Sequence, residues 1–362
     1  MPGLMSPRTS APRGGAGAQV TVVIIVVLAA GVGGFFLLRG RGKRAAPPPP
    51  PPPIEKPLTE MPAAPVEPAA DKPEPKEAAP APAPAAPASE DQLEAAMKAD
   101  PQGPAGRAAA LALGDALYAR CFAREPKDRT QWERTRAAYS AALAGIADAA
   151  VRKQTVARLD ELNRFLICTS MATADSVAHK VEPGETIEKI AAAYGLPKDC
   201  ALSIARINRM APERLRAGET LKVIKPLNLE VTVSKKHLRL TALLNGYFFG
   251  EFPVGIGKDD ATPAGEFVTK AGGKDKNPNW TKTLEDGRKV VYKFGDPENI
   301  LGTRWIGLEG KEDVVGLGLH GTTKPETVPG RVSAGCIRMH NADVELLYDF
   351  IPDGTKVIIT EQ

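Results

Sequence analysis

The stretch LNLEVTVSKKHLRLTALLNGYFFGEFPVGIG, residues 227–257, indicates the fold of the C-terminal part of the chain. Apolar and polar residues alternate along it, which is the period of a strand with one buried face. Asn245-Gly246 favours the tight turn of a β-hairpin. AGEFVTKAG, TRWIGLEG and GTKVIIT predict further strands, whereas DVELLYDFIP has helical spacing. We therefore predict that residues 227–362 form a β-rich domain with one or two helices.

Residues 177–225 predict a smaller module with a different order of elements. HKVEPGETIEKIAAAYGLP begins with a short strand, turns at Pro183-Gly184 and continues with apolar residues at helical spacing. CALSIARINRM predicts a second helix, and LRAGETLKVIKP predicts a turn and a closing strand. The predicted order is strand, helix, helix, strand, a βααβ module.

Residues 89–170 are rich in alanine and leucine and predict an α-helical region. Helical spacing runs through residues 111–119, 132–146 and 151–166, so we expect three or four helices in a small bundle. We interpret Trp132, Tyr139 and Phe165 as core residues of this bundle. The region gives no indication of an activity.

Residues 19–38, QVTVVIIVVLAAGVGGFFLL, contain no charged side chain. A helix of this length spans about 30 Å, the thickness of the hydrocarbon core of a bilayer. We predict a single transmembrane helix here, preceded by an N-terminal tail at residues 1–18. A cleaved signal peptide is the stronger alternative, and a buried core helix is the weaker one.

Residues 39–88 are rich in proline and alanine and predict a disordered, extended linker.

The charges around residues 19–38 raise a conflict over the orientation of the predicted helix in the membrane, because more basic residues follow the run than precede it. The positive-inside rule alone would keep the C-terminal side in the cytoplasm. The chemistry argued below requires the opposite side, and we give it precedence.

The composition of the 362 residues is that of a globular protein, with 43% hydrophobic and 25% charged residues. A net charge of +4, much of it beside residues 19–38, is too small and too local to indicate nucleic-acid binding. Four cysteines do not form a disulfide scaffold, and the cysteines and histidines lack metal-ligand spacing. We predict no cofactor and no metal, and the oligomeric state stays open.

The segment SAGCIRMHN, residues 333–341, places a thiol between a glycine and an arginine. A free thiol has a pKa of about 8.5, so Cys336 needs a neighbouring base or positive charge to act as a nucleophile. We predict that His320, at the end of VVGLGLHGTT, is this base and that a backbone carbonyl orients it. His340 is the fallback.

The residues around Cys336 and His320 also have predicted roles. Gly335 permits a tight backbone whose amides point at a developing oxyanion, and Ser333 bonds the loop or the ligand. Arg338 supplies a positive charge and a donor fork that suits a carboxylate. Gly321 lets the backbone pass close to a ligand, and Asn341 or Asp343 caps the following helix.

These segments together resemble the L,D-transpeptidase catalytic domain (YkuD family). The family pattern is an HG segment followed by S-x-G-C-[IV]-R, here His320-Gly321-Thr322 and Ser333 to Arg338. GKDDATPAGEF resembles the family's GK-x-TP-x-G-x-F segment. In the family's substrate cleft, Asn-Pro usually stands where this chain has Asn299-Ile300. NPNW and LGTRWIGL resemble its substrate-cleft segments. By this resemblance Thr322, Trp280 and Trp305 bind substrate. Residues 177–225 resemble a LysM domain, through segments such as His179-Lys180-Val181 and Tyr194-Gly195.

The resemblance implies a reaction on peptidoglycan stem peptides. The Cys336 thiolate attacks the carbonyl between the diamino acid and the terminal D-alanine, D-alanine leaves, and an amine of a second stem takes the acyl group. If water takes it instead, the protein is a carboxypeptidase. A third possibility is a non-catalytic wall-anchoring protein, and the LysM module either binds glycan or acts as a spacer. All of these place the protein in the bacterial cell envelope.

Three further cysteines, Cys121, Cys168 and Cys200, permit two interpretations. A disulfide between Cys121 and Cys168 would join two helices of the bundle outside the cytoplasm. An interpretation in which all three are buried free thiols is at least as good.

Overall fold

The computed structural model describes residues 88–123, 128–284, 286–310 and 314–362. The predicted tail at 1–18, the predicted transmembrane segment at 19–38 and the predicted linker up to residue 87 lie outside them. In the part of the chain that the structure describes, no helix has the length and apolar character required to span a bilayer.

Four helices make up the N-terminal part of the described chain. They are α1 (Glu90–Ala99), α2 (Pro104–Cys121), α3 (Arg129–Leu143) and α4 (Ala149–Leu166). Acidic and hydroxyl side chains fix three of their starts: Ser89 forms a capping box with Gln92, and Asp128 and Asp148 accept from backbone amides of the first turn. The predicted helical region is therefore present, with four helices.

The interior of this bundle is formed by aromatic and leucine side chains. Trp132 and Tyr139 are fully buried, as predicted, with Leu159 and Leu162 against them. Phe165 is only partly buried, and its ring lies edge-on to Trp132 with 4.5 Å between centroids.

The second module has the predicted βααβ order. It consists of β1 (Ser176–Lys180), α5 (Ile187–Ala193), α6 (Leu202–Ile207) and β2 (Thr220–Ile224), and β1 and β2 pair antiparallel. Ile190, Ile204 and Val223 form its dry interior. At the predicted turn Gly184 has a φ of 80°, a conformation that glycine adopts without strain.

The C-terminal domain is dominated by one mixed sheet of ten strands in the order β12-β6-β13-β11-β10-β7-β14-β3-β4-β5, and β8 and β9 form a separate hairpin. The strands are β3 (Leu229–Ser234), β4 (Arg239–Leu244), β5 (Tyr247–Pro253), β6 (Gly255–Gly257), β7 (Gly265–Lys276), β8 (Trp280–Thr283), β9 (Lys289–Tyr292), β10 (Arg304–Glu309), β11 (Gly318–His320), β12 (Gly330–Ser333), β13 (Ile337–Arg338) and β14 (Lys356–Thr360).

The predicted hairpin at Asn245-Gly246 joins β4 to β5. Both turn residues have positive φ, 55° and 81°, as the tight turns of hairpins require. The predicted C-terminal helix is α7 (Asn341–Phe350), which packs Val344, Leu347 and Phe350 into the domain core. The β-rich fold predicted from the alternating pattern is therefore confirmed.

The helical bundle covers the edge strand β5. Phe248 is the residue of contact: its N–H donates to Ser140 Oγ at 3.0 Å, and its carbonyl accepts from Asn163 Nδ2 at 2.9 Å and from Arg136 Nη2 at 3.1 Å. Arg152 on α4 also forms an ion pair with Glu251 at 2.6 Å. Helices α3 and α4 therefore satisfy backbone groups that an open sheet edge would expose.

The βααβ module packs against α7 and shares a hydrophobic core with the sheet domain. Arg206 Nε donates to Asp349 Oδ2 at 2.6 Å. Lys274 Nζ, almost fully buried, donates to Asp199 Oδ2 at 3.1 Å and to the Ile351 carbonyl at 2.8 Å. These contacts fix the module on the helix that follows β13.

Candidate active site

Cys336 and His320 lie on two neighbouring parallel strands in the sheet. Strands β11 and β13 pair with Leu319 opposite Ile337 and His320 opposite Arg338. Side chains alternate between the two faces of a sheet, so His320 and Arg338 lie on one face. Cys336 immediately precedes β13 and shares that face, two positions before Arg338. The register therefore puts Cys336 and His320 on one face of the sheet, two positions apart along the strands.

The Cys336 thiol is half-buried and donates a hydrogen bond to the Gly316 carbonyl at 3.3 Å. Burial raises the pKa of this thiol above its usual value, while a backbone hydrogen bond from Gly318 and the charge of Arg338 oppose the rise. Because burial is the largest contribution, the resting group at neutral pH is the thiol. A base must take its proton before or during attack.

His320 is 2% exposed and is held from two sides. Its Nδ1 lies 2.6 Å from the Gly321 carbonyl, so Nδ1 carries the proton and Nε2 keeps its lone pair. The Trp305 ring stacks on the imidazole with 6.0 Å between centroids and 24° between planes. Burial lowers the pKa of His320 to about 4, so the imidazole is neutral and available as a base at pH 7.

The loop before Cys336 is tied by side-chain hydrogen bonds. Ser333 Oγ donates to the Cys336 carbonyl at 2.6 Å and accepts from the Gly335 N–H at 3.1 Å. Of the two predicted options, Ser333 thus bonds the loop. The Gly335 amide is engaged, whereas no described residue accepts a hydrogen bond from the Cys336 N–H. Of the amides near Cys336 that were predicted to face an oxyanion, the Gly335 amide is therefore already bound to Ser333.

Arg338 is 7% exposed, and its guanidinium retains unused donors. Nη1 donates to Thr327 Oγ1 at 2.9 Å, but Nε has no partner among the described residues. Its charge acts on both Cys336 and His320. A buried cation with free donors suits a carboxylate that arrives with a ligand.

Asn341 organises the end of β11, a role that sequence reasoning missed. Its Oδ1 accepts from the Thr322 N–H at 2.9 Å and the Thr303 N–H at 3.2 Å, and its Nδ2 donates to the Thr322 carbonyl at 2.9 Å. A Cβ on Gly321 would lie 2.1 Å from Asn341 Oδ1, so this glycine makes room for Asn341 and not for a ligand.

The predicted helix cap is therefore wrong, because α7 has His340 at its N-cap and no side-chain cap bond. Thr322 is 2% exposed, and its Oγ1 accepts from the Lys324 N–H at 2.9 Å. Both Thr322 and Asn341 thus shape the loop after β11. His340 lies four residues beyond Cys336 at the N-cap of α7, whereas His320 lies on β11, which pairs with the strand that follows Cys336.

Trp280 is not brought together with Cys336. It lies on the β8–β9 hairpin, where its ring stacks on Tyr292 at 5.4 Å between centroids, with Lys282 Nζ 5.9 Å from its centre. Trp305, in contrast, contacts His320 directly.

All four cysteines are free thiols. Cys121 is buried in the helical bundle against Thr135, whereas Cys168 is only half-buried and packs against the other hydrophobic core. Of the two interpretations, the structure has the free thiols and not the Cys121–Cys168 bridge, with Cys121 and Cys200 buried and Cys168 half-buried. No group of three potential metal ligands occurs among the described residues.

Comparison with known proteins connects this site to a family. The L,D-transpeptidase catalytic domain (YkuD) matches residues 229–359, and the LysM domain matches residues 179–223. The putative L,D-transpeptidase YqjB of Bacillus subtilis is 42% identical over 133 residues, which are 36% of this chain and 70% of that protein. The putative L,D-transpeptidase YkuD of the same species is 27% identical over 191 residues, 51% of this chain and 98% of that protein.

A solved L,D-transpeptidase from Mycobacterium smegmatis aligns with 40% of this chain and 63% of its own, at 16% identity and a TM-score of 0.30. On the strength of the similarity to YqjB, this chain belongs to the L,D-transpeptidase family. Its catalytic domain is preceded by a LysM domain, and the predicted resemblance to both is confirmed. The predicted enzyme class, a transpeptidase, is confirmed with it.

Proposed function

We propose that this protein is a peptidoglycan L,D-transpeptidase that uses Cys336 as its nucleophile and His320 as its base. The observation that supports this most directly is the pairing of β11 with β13, in which His320 lies opposite Arg338 and Cys336 directly precedes β13. A neutral imidazole and a neutral thiol suit general-base catalysis, in which the proton moves during attack.

In the first step His320 Nε2 takes the thiol proton while Cys336 Sγ bonds to the carbonyl carbon between the diamino acid and the terminal D-alanine. The carbonyl oxygen becomes an oxyanion that a backbone N–H stabilises. The C–N bond then breaks, and the imidazolium returns the proton to the leaving amine. D-Alanine departs and a thioester remains on Cys336.

In the second step the amine of another stem peptide attacks the thioester. His320 accepts the amine proton and returns a proton to the sulfur, so the thiol is regenerated and a cross-link is formed. Water in place of the amine yields the carboxypeptidase reaction, which stays the alternative. In both reactions Arg338 binds a carboxylate of the donor stem, and Trp305 keeps His320 in position.

The LysM domain is proposed to bind the glycan and hold the enzyme on its polymer, which raises the local concentration of substrate. Residues 19–38 are proposed to anchor the chain in the membrane with residues 39–88 as the spacer, so that the folded domains work in the cell envelope outside the cytoplasm. The apolar run supports the anchor, while the basic residues that follow it argue against this orientation.

Product analysis of purified sacculi tests the reaction. We expect the wild-type protein to produce cross-linked stem dimers and the Cys336→Ala variant to produce none. The matched control is Cys168→Ala, which removes another half-buried thiol and is expected to keep activity. Trimmed monomers without dimers would indicate the carboxypeptidase, and unchanged dimer formation by Cys336→Ala would refute the proposed nucleophile.

A further inference from the structure

Thr262 makes two hydrogen bonds that connect it to the loop of Cys336. It is fully buried, its Oγ1 donates to the Gly335 carbonyl at 2.7 Å, and the same oxygen accepts from the Gly257 N–H at 2.7 Å. The hydroxyl is therefore fully used by the backbone of two segments. In the sequence, Thr262 was noted only as part of the GK-x-TP-x-G-x-F segment.

The Gly335 carbonyl and the Cys336 N–H belong to the same peptide unit. A trans peptide is planar, and its C=O and N–H point in opposite directions. By fixing the carbonyl on one side, Thr262 also fixes the direction of the Cys336 N–H on the other. Gly335 has a φ of 144°, so without a side-chain contact this glycine would let the peptide rotate.

The surrounding backbone groups leave one donor free. The Gly335 N–H donates to Ser333 Oγ, and the Cys336 carbonyl accepts from the same hydroxyl. The Gly335 carbonyl accepts a hydrogen bond from Thr262 Oγ1. Of the four backbone polar groups of these two residues, only the Cys336 N–H has no partner among the described residues. An amide on the nucleophile itself is well placed for the oxygen of the carbonyl that the nucleophile attacks.

Thr262 is held in turn by a charged cluster at the end of the sheet. Lys235 is 1% exposed and forms ion pairs with Asp260 at 2.6 Å and Glu361 at 2.7 Å. Asp260 lies two residues before Thr262, on a turn where Asp259 and Asp260 both have positive φ. The segment that presents the hydroxyl is thereby fixed to β3 and to the chain terminus.

We infer that Thr262 is a positioning residue that orients the Cys336 N–H as the oxyanion donor of this site. This inference rests on the proposed function, because it requires a tetrahedral intermediate at Cys336. Thr262 itself does not contact the substrate. It acts on the step in which charge develops on the carbonyl oxygen, and not on the reactivity of the sulfur.

Two reagents separate these effects. A carbapenem acylates a thiol through a tetrahedral oxyanion, whereas iodoacetamide alkylates it by direct displacement at carbon without one. We expect Thr262→Val to lower the rate constant of acylation by about 10- to 100-fold, less than the roughly 100- to 1000-fold cost of removing an oxyanion donor, because the donor is misdirected and not removed. Alkylation of Cys336 should change less than 3-fold, and Thr262→Ser should restore acylation because it keeps the hydroxyl.

Thr269, on β7 seven residues after Thr262, offers a matched control. It is 1% exposed, its Oγ1 donates to the Pro352 carbonyl at 2.7 Å, and it accepts from the Thr355 N–H at 2.8 Å. Thr269→Val should lose comparable stability and leave the ratio of acylation to alkylation unchanged. If Thr262→Val does not fold, Thr262→Ala is measured in the same way with the same expected ratio.

An equal fall of both rates in the Thr262 variants, or no fall in either, would overturn the inference. The proposed function is tested separately by the wild-type protein: if a carbapenem does not acylate wild-type Cys336, the nucleophile assignment fails whatever Thr262 does.

Discussion

At the scale of single residues, burial sets the protonation states on which the proposed chemistry depends. Burial raises the pKa of the Cys336 thiol and lowers the pKa of the His320 imidazole, so the neutral pair is the resting state near pH 7. A preformed thiolate and imidazolium pair would require both shifts to have the opposite sign. Attack on the carbonyl and transfer of the proton to His320 are therefore expected to be coupled.

The pH dependence of acylation tests this assignment. His320 can accept the thiol proton only while it is unprotonated, so activity is lost as pH falls through its pKa of about 4. We expect the acid limb of kcat/KM to have its midpoint near pH 4, well below the usual histidine value of about 6.5. The measurement is the rate of Cys336 acylation by a carbapenem from pH 3 to 8, over the range in which the protein stays folded. A midpoint at 6.5 or above would contradict a buried neutral base.

The sequence suggested candidate residues for this site but not the hydrogen bonds that connect them. Cys336, His320 and Arg338 were identified because their chemistry shows in short segments. Asn341 and Thr262 were not given their roles, because the partners that connect them to the site, Thr322, Thr303 and Gly335, are 19 to 73 residues away along the chain. The spacing of residues within one segment does not predict a hydrogen bond between two segments that become neighbours only in the folded domain.

At the scale of elements, the edge strand β5 explains why a helical region belongs to this domain. Leu244 and Tyr247 flank the hairpin turn and pair with each other, and the next pair is Leu243 with Phe248. In an antiparallel ladder such pairs alternate, so the N–H and C=O of Phe248 point away from β4. Helices α3 and α4 supply Ser140, Asn163 and Arg136 to these groups.

Ser140→Ala tests the importance of this contact. The variant leaves the Phe248 N–H buried without an acceptor, which should lower the free energy of unfolding by about 1 to 3 kcal/mol. Urea denaturation at neutral pH measures it. Thr130→Ala, an exposed position on the same helix, is the control and should stay within about 0.5 kcal/mol of wild type. An equal effect of the two substitutions would show that the bundle does not stabilise β5 through this bond.

The alternating pattern predicted most strands and the hairpin at Asn245-Gly246, because one face of each strand is buried against the same core. It did not predict that the bundle would dock on β5, since Ser140 and Asn163 are ordinary polar residues within helices. Their partners are backbone groups of Phe248, which no side-chain pattern reveals.

On the scale of the whole molecule, the helical bundle, the LysM domain and the catalytic domain are not independent units. The LysM domain is fixed to α7 by Arg206 and Lys274, and α7 begins directly after the strand that follows Cys336. Lys222 of β2 donates to the Leu166 carbonyl at the end of α4. The LysM domain, the bundle and the catalytic sheet are therefore joined by direct contacts.

Intact-protein mass spectrometry after exposure of the full chain to a carbapenem, followed by peptide mapping, tests most directly whether Cys336 is the nucleophile. We predict one covalent adduct on Cys336, its absence in Cys336→Ala, and an unchanged adduct in Cys168→Ala. An adduct on another residue, or a Cys336 thiol that stays unmodified in the wild-type protein, would contradict it.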